Sequence, residues 1–378
     1  MERTLRVQSE QPGGAAGHST AGVRAAEGLP AADATGGPGG VLVAGAQAVT
    51  VTVTVTVVIC AYTMRRWDQL VAAVESAAEQ SSPPEQIVVV VDHNDELLER
   101  ALAEFTAAEV VANSSSRGLS GARNTGAARA KGDVVVFLDD DAHAEPDWLA
   151  ELVGPYGDPH VIGTGGTAVP EWSAEPPAWF PREFYWVLGC SYTGLRATPG
   201  PIRNPIGANM SFRRSVLEQV DGFSVSVGRI PTLPLGCEET EFSIRARRHF
   251  AGSEIVQVPA AVVHHSVGAE RATLGYLIGR CFAEGLSKAV VVSNVGRTRG
   301  LAAERSYVTR VLPLGVARGV ADALRGRPGG LGRSGAIVVG FFWTGLGYLF
   351  GTLGLDATGV RVLTTINRIQ AREVNKPR

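Results

Sequence analysis

The chain reads as an α/β protein with a mostly parallel central sheet, followed by a C-terminal helical, membrane-associated segment. Three observations predict this. Short Val- and Ile-rich runs (Val57-Val58-Ile59, Ile87–Val91 and Val134–Leu138) alternate with helix-patterned segments, the order expected of strands covered on both faces. Two of these runs end in clustered acids, Asp92-His93-Asn94-Asp95 and Asp139-Asp140-Asp141. Near the C-terminus, Ser334–Leu355 carries no charged residue.

The elements follow in order. Residues 1 to about 48 are rich in Gly and Ala without apolar periodicity, and read as a disordered extension or as sequence upstream of the true start. Order is expected from Val49–Ile59, where Val and Thr alternate before closing on an apolar run, the pattern of a strand. Trp67, Leu70, Val71 and Val74 fall at helical spacing within Trp67–Gln80, which Ser81-Ser82-Pro83-Pro84 ends. Ile87–Val91 is the second strand, Leu97–Thr106 a helix, and Glu109–Ala112 the third strand. Gly121–Lys131 is small-residue-rich and helical, and Val134–Leu138 is the fourth strand. Further on, Phe242–Phe250 has helical character and Ala260–Val263 is strand-like.

Composition excludes several classes. A chain of 378 residues is about two ordinary domains long at roughly 150 residues each. Its formal net charge of −2 gives no global basic field for nucleic acid. Cys60, Cys190, Cys237 and Cys281 lie far apart with no CxxC spacing, which fits free thiols in a reducing compartment better than disulfides or zinc. A basic n-region followed by an apolar h-region is lacking at the N-terminus, so no secretory signal is read. There is no Gly-x-Gly-x-x-Gly after the first strand and no Walker A motif, which disfavours dinucleotide dehydrogenases and P-loop NTPases.

The aspartate triplet carries the most information. Three adjacent acids repel one another, and a hard divalent cation such as Mg²⁺ or Mn²⁺ relieves that repulsion. Ligands of open α/β sheets also sit beyond the carboxyl ends of strands, where Asp139-Asp140-Asp141 lies. The competing reading is a polar loop in which Asp141 or Asp147 caps a helix near Trp148.

Taken together, six segments resemble family 2 glycosyltransferases. They are Val57–Tyr62, Asp92–Asp95, Arg117–Gly126, Gly132–Asp141, Gly207–Arg214 and Gly236–Phe242, and the resemblance covers roughly residues 53–270. It implies a GT-A (nucleotide-diphospho-sugar transferase) fold. It also implies inverting hexosyl transfer from a nucleotide-diphosphate sugar, assisted by Mg²⁺ or Mn²⁺. On this resemblance Ala61, Tyr62 and Asp92 meet the nucleotide, an Asx turn being the alternative for the Asp92 loop. Arg123, in a Gly- and Ser-rich loop opening a helix, suits anionic oxygens; its alternative is a surface pair with Asp133, while Asn124 orders the loop. Asp139 and Asp141 fit the family's Asp-x-Asp, with Asp141 the direct metal ligand and Asp139 or Asp140 nearer the ribose. Asn209 lines the donor-sugar and acceptor cleft, or else marks a strand with close backbone approach; His265 is a further candidate metal ligand.

Inverting transfer also needs a base. The acidic pair Glu238-Glu239 fits the family's position for it, with Glu239 the expected base and Glu238 the alternative; acids at a helix N-terminus are the non-catalytic explanation. The family's second acid is most often Asp, so Glu239 is one methylene longer.

The remaining segments bear on acceptor and location. Trp172–Gly200 is aromatic and reads either as an acceptor surface or as a core under a long loop. From Ser287 to Arg333, basic residues (Arg305, Arg310, Arg318, Arg325, Arg327, Arg333) interleave with apolar ones, which suits an anionic membrane surface. Ser334–Leu355 is long enough for a span of about 20 residues, with a buried or interfacial hairpin as the alternative. Expected divisions are residues 1–48 as the extension, 49–285 as the catalytic domain and 286–378 as the membrane-associated region with a possible span at 334–355. The expected partners are a nucleotide-sugar donor, a glycan or lipid-linked acceptor and a membrane, with the catalytic domain on the cytoplasmic side. Competing functions are a nucleotidyltransferase-like enzyme and a non-catalytic sugar-binding protein.

Overall fold

In a computed structural model, the structure describes residues 53–225, 236–296 and 302–353. The expected N-terminal extension and the first residues of the Val49–Ile59 strand lie outside the described residues. The first part of the fold runs β1 (Val55–Ala61), α1 (Trp67–Ala78), β2 (Gln86–Val91), α2 (Asp95–Glu104), β3 (Glu109–Ala112), α3 (Leu119–Arg129) and β4 (Val134–Asp139). It continues with β5 (Ala142–Ala144), α4 (Trp148–Val153), β6 (Val161–Trp172), β7 (Gly200–Ile202), β8 (Asn209–Arg213), α5 (Arg214–Gln219), α6 (Glu238–His249) and β9 (Glu254–Val267). Helices α7 (Leu274–Val295), α8 (Ala302–Ser306), α9 (Leu312–Leu324) and α10 (Gly330–Thr352) complete it.

Among the described residues the strands form one sheet in the order β3-β2-β1-β4-β8-β6-β9-β5, with β7 paired to β9. The β3-β2-β1-β4 half is parallel, as expected. Beyond β4 the sheet is mixed: β8 is antiparallel to both neighbours, whereas β6 and β9 are parallel. The chain runs outward from β1 through β2 and β3, then returns to the other side of β1 as β4. That reversal opens a crevice at the carboxyl ends of β1 and β4, where α/β sheets bind ligands.

Alternation along the strands builds two cores. Val55, Val57 and Ile59 of β1 pack with residues of α1, α2 and α4, whereas Val58 packs with α3, α5 and α6. The same division holds for Val134, Val136 and Leu138 against Val135 and Phe137 in β4. This is why the apolar runs show no polar face.

A third core answers the question posed by the aromatic insertion. Phe180, Phe184, Val187 and Leu188 pack with Leu277 and Cys281 of α7, Leu312 of α9 and Ile337 of α10. Most of the insertion is therefore a core beneath the C-terminal helices. The boundary expected at 285 falls inside α7, a single helix of 22 residues. Small residues let α7 and α10 touch: a Cβ at Gly285 would lie 2.2 Å from the Thr344 carbonyl oxygen, and one at Gly347 2.1 Å from that of Phe282. Helix α10 is long and apolar enough to cross a membrane by length and composition, and only 22% of its most apolar stretch is buried. All four cysteines are free, as expected from their spacing.

Candidate active site

The crevice is built from loops that leave β1, β2 and β4. Ala61 ends β1, and its carbonyl accepts from the Asp92 N–H at 2.7 Å; Tyr62 follows and is exposed. Asp92 is buried and ties its loop to the next: it accepts from the Gly118 N–H (2.9 Å) and the Asn113 amide (2.7 Å), and its Oδ1 lies 2.8 Å from His93 Nδ1. Gly118 has φ 120°, a conformation that favours glycine, and from it the chain turns into α3. Asn124 orders the facing loop as expected, bonding both the N–H and the carbonyl of Phe223.

Arg123 then projects from α3 into the interior, 2% exposed. Its guanidinium bridges Glu238 Oε1 (2.9 Å), Asp139 Oδ1 (3.3 Å) and the Gly207 carbonyl (3.0 Å). The alternative surface pair with Asp133 does not form, because Asp133 is held by the Thr54 N–H and hydroxyl. One buried cation thus ties the aspartate triplet to the acidic pair, residues about a hundred positions apart in the chain.

At the triplet itself the three carboxylates differ. Asp141 faces His265 Nε2 (3.3 Å), an Arg271 nitrogen (2.9 Å) and an Arg66 nitrogen (3.2 Å). Burial would raise its pKa, but His265, Arg271 and Arg66 outweigh that and hold the carboxyl well below the usual range. Asp140 bonds Arg66 at 2.8 Å, and burial, only partly offset by Arg66, pushes it up to about 7. Neither Asp141 nor Asp147 caps α4 through its side chain. One ligand atom each from Asp139, Asp141 and His265 lies within 4.8 Å of the others, a set that could hold a metal ion. Strand alternation explains the histidines: His265 points inward and is buried, whereas His264 bonds Glu145 at 2.6 Å.

The acidic pair opens α6, which starts at Glu238 rather than at Phe242. Cys237, at φ 69°, turns the chain into the helix. Its left-handed conformation, unusual for a residue with a Cβ, sets Glu238 and Glu239 in the first turn beside Arg123. Glu239 is half-buried, and its carboxyl is pushed up to about 7 by burial and by the neighbouring Glu238 charge. The acids thus occupy a helix N-terminus and the cleft wall at once. Glu238, Glu239, Arg123, Asp139 and His265 all line one cleft of about 400 Å³, which Trp186 and Tyr192 of the aromatic insertion also line.

Asn209 has a different place. Its carboxamide accepts from Trp148 Nε1 (2.8 Å) and donates to the carbonyls of Thr167 (3.0 Å) and Ala261 (2.9 Å). It is fully buried and pins β8, β6 and β9 together, the close backbone approach that Gly207 and Ala208 suggested. Asn209→Ala is expected to lower stability by about 2–4 kcal/mol, because it strands the Trp148 N–H and two buried carbonyls. Urea unfolding checks this; an unchanged midpoint would remove the bracing role.

Two cations at the triplet, Arg66 and Arg271, escaped the sequence reading. Neither stands at a fixed spacing from an aspartate, and each reaches the site only through the fold.

A parallel half-sheet with acids at the β4 terminus, and a second acidic pair across a buried arginine, define a sugar-nucleotide transferase of the GT-A kind. The family model "Glycosyl transferase family 2" matches residues 56–221. Over 238 residues the chain is 37% identical to a glucosyl-dolichyl phosphate glucuronosyltransferase of Haloferax volcanii, covering 62% of this chain and 76% of that protein. It is 29% identical over 169 residues to the succinoglycan biosynthesis protein ExoM of Rhizobium meliloti, 44% of this chain and 50% of that one. Among solved structures, it is similar to the mannosyltransferase PcManGT of Pyrobaculum calidifontis in complex with GDP-Man and Mn²⁺ (19% identity, 78% and 87% coverage, TM-score 0.48). The chain belongs to glycosyltransferase family 2 and is a glycosyltransferase.

Proposed function

We propose that the protein is a metal-dependent, inverting glycosyltransferase acting at a membrane. It moves a sugar from a nucleotide-diphosphate donor to a hydroxyl of a lipid-linked glycan. The observation that carries this reading is the meeting of two acidic clusters at one cleft: Asp139 and His265 line it with Asp141 buried beside them, Glu238 and Glu239 line it too, and Arg123 joins the two. The Haloferax relative acts, by its name, on a glucosylated dolichyl phosphate and transfers glucuronate, which supports a lipid-linked acceptor and puts glucuronate first among donor sugars.

The residues suit a divalent cation. Two carboxylates supply hard oxygens for Mg²⁺ or Mn²⁺, and the imidazole of His265 adds a donor more at home on Mn²⁺. Asp140 Oδ2 is buried with no hydrogen-bond partner among the described residues, so the triplet keeps acceptor capacity to spare. Bound by Asp139, Asp141 and His265, the metal supplies charge stabilisation to the departing nucleoside diphosphate. Arg66 and Arg271 add two positive charges beside the same point. Tyr62 and Asp92 flank the nucleotide side of the crevice, with Asp92 also holding its loop. Glu239 takes the proton of the acceptor hydroxyl as that oxygen attacks the anomeric carbon. Glu238 and Arg123 fix the register between base and triplet.

Helix α10, with its apolar surface largely outside the core, anchors the enzyme at the membrane. The catalytic domain faces the compartment in which nucleotide sugars are made, the cytoplasm. A donor screen tests the reading: uridine, guanosine and thymidine diphosphate sugars, glucuronate included, are offered with Mn²⁺ and nucleoside diphosphate release is followed. Release is expected for one donor class and is abolished by chelation. Activity that persists in excess EDTA would remove the metal, and pyrophosphate as product would point to nucleotidyl transfer.

A further inference from the structure

Helix α10 has two sharply different faces. Its exposed residues recur at Leu331, Gly335, Val338, Phe342, Gly345 and Leu349, spaced by three and four, so they form one stripe without a charge. Away from that stripe the helix is held to the protein from end to end. A Cβ at Gly332 would strike Trp179, one at Gly340 Phe184, one at Gly347 the Phe282 backbone and one at Gly351 Ala289. Helix α9 lies alongside, where the Ser334 hydroxyl donates to the Val316 carbonyl at 2.9 Å. Leu312 of α9 and Ile337 of α10 enter the same core, so the two helices turn their other faces outward together. On α9 that face holds Leu314, Ala317, Val320 and Leu324, with Arg318 and Arg325, two turns apart, beside them.

Charge on this surface has one sign. The acids of residues 302–353 are Glu304 and Asp322. Arg203 and Lys288 hold the first, Arg327 and Arg333 the second. Arg305, Arg310 and Arg325 are exposed and make no ion pair among the described residues, while Arg318 stands 3.8 Å from Glu183 with its side chain 61% exposed. A second copy docked across a twofold axis would set these arginines against their own equals, with no acid of this stretch to answer them. An anionic lipid surface answers all of them and covers the apolar stripe as well. Length alone does not decide whether α10 crosses that bilayer or lies flat, but its packing does. Trp343, Leu346 and Phe350 pack on Phe282 and Leu286 of α7, the helix that carries Arg280, Glu284 and Lys288 into the reaction cleft. Crossing would drag those charges into hydrocarbon, where each is costly.

We propose that α9 and α10 form an in-plane docking surface for one leaflet of an anionic membrane, and that α10 does not cross it. The apolar stripe sinks about 5–10 Å into the boundary between headgroups and acyl chains. Arg318 and Arg325, with Arg305 and Arg310, meet the anionic headgroups. Phe341, Thr344 and Tyr348 of the same helix line the cleft, so this seat brings the reaction to the headgroup layer. The inference rests on the membrane part of the proposed function and adds the surface, the lipid charge it reads and the side from which it binds.

The test uses the full chain, purified in detergent and diluted into vesicles of phosphatidylcholine alone or mixed with phosphatidylglycerol. Leu331→Cys, Phe342→Cys and Leu353→Cys each carry a fluorophore at an exposed point of α10 or its end, and nitroxides at graded depths in the lipid report how deep it sits. The wild-type chain, whose own cysteines are buried or half-buried, supplies the background. All three labels are expected at one shallow depth. A crossing helix would put Phe342 about 16 Å deeper than either end, which overturns the in-plane seat and leaves membrane attachment standing. Flotation measures the lipid preference. Arg318→Gln with Arg325→Gln is expected to weaken binding to the mixed vesicles by about 25-fold, about fivefold for each arginine, and to leave binding to phosphatidylcholine unchanged. Arg318→Lys with Arg325→Lys is expected to bind as the wild type does. Equal binding of the wild type to both lipids, or a Gln pair that binds as well as the wild type, overturns the headgroup contact. Labels that stay unquenched while the chain sediments as a dimer make the stripe a contact between copies and overturn the proposal outright. Nucleoside diphosphate release in detergent is followed in parallel, and its absence counts against the transfer reading alone.

Discussion

Glu239→Gln is expected to reduce sugar transfer by about 10²–10⁴-fold, the usual contribution of a positioned general base. The substitution keeps size and removes the proton acceptor, so the loss should fall on kcat with donor KM little changed. The pH profile gives the sharper test. The carboxyl is pushed up to about 7 by burial and by Glu238, and only its ionised form can accept a proton. Transfer should therefore rise with pH through about 7 and fall as pH drops below it. Folding is linked in the opposite sense: a raised carboxyl pKa favours the folded chain at low pH, and that contribution fades as pH climbs from the ordinary Glu range through 7. The enzyme is thus most active where this residue stabilises it least. If Glu239→Gln retains the rising limb while Glu238→Gln abolishes it, the base is Glu238.

Asp141→Asn is the second large effect. It removes a carboxylate that faces His265, Arg271 and Arg66 together. Activity at fixed Mn²⁺ is expected to fall by at least about 100-fold, with the Mn²⁺ needed for half-activation rising by more than about tenfold. A metal titration of nucleoside diphosphate release measures both. An unchanged titration would move the metal away from Asp141. The amide is nearly the same size as the acid, so a fold-wide collapse is not the expected cause of any loss.

The parallel half of the sheet was legible because its strands bury both faces. Val134–Leu138 has no polar residue to confuse the pattern, and it reappears as β4 with one residue added. Strand β6 gave no such signal. It is built around Gly163, Gly165 and Gly166, which look like loop residues in a sequence. The glycines are there because neighbouring segments press on them: a Cβ at Gly163 would lie 2.6 Å from Phe212, one at Gly165 2.5 Å from Pro205 and one at Gly166 2.2 Å from the Ala261 carbonyl oxygen. Similarly, β9 spans Glu254–Val267, far more than the strand-like Ala260–Val263, because polar residues interrupt its apolar pattern: Gln257 bonds the Gly166 carbonyl of β6 and His265 faces Asp141. The start of α6 was hidden by the left-handed turn at Cys237, which no residue type announces. At the site, the acids were readable because they cluster in sequence. Of the guanidiniums that answer them, Arg123 lay inside a motif and was readable, whereas Arg66 and Arg271 come from separate segments and were not.

Those three guanidiniums have a consequence for how the protein meets its metal. Arg66 holds Asp140, Arg123 holds Asp139 and Arg271 holds Asp141, so every acid of the triplet already has a cationic neighbour. Such a chain can complete its fold before any ion arrives, unlike small metal domains that stay unfolded without one. On the proposed reading, an ion held by Asp139, Asp141 and His265 would serve the donor rather than the scaffold.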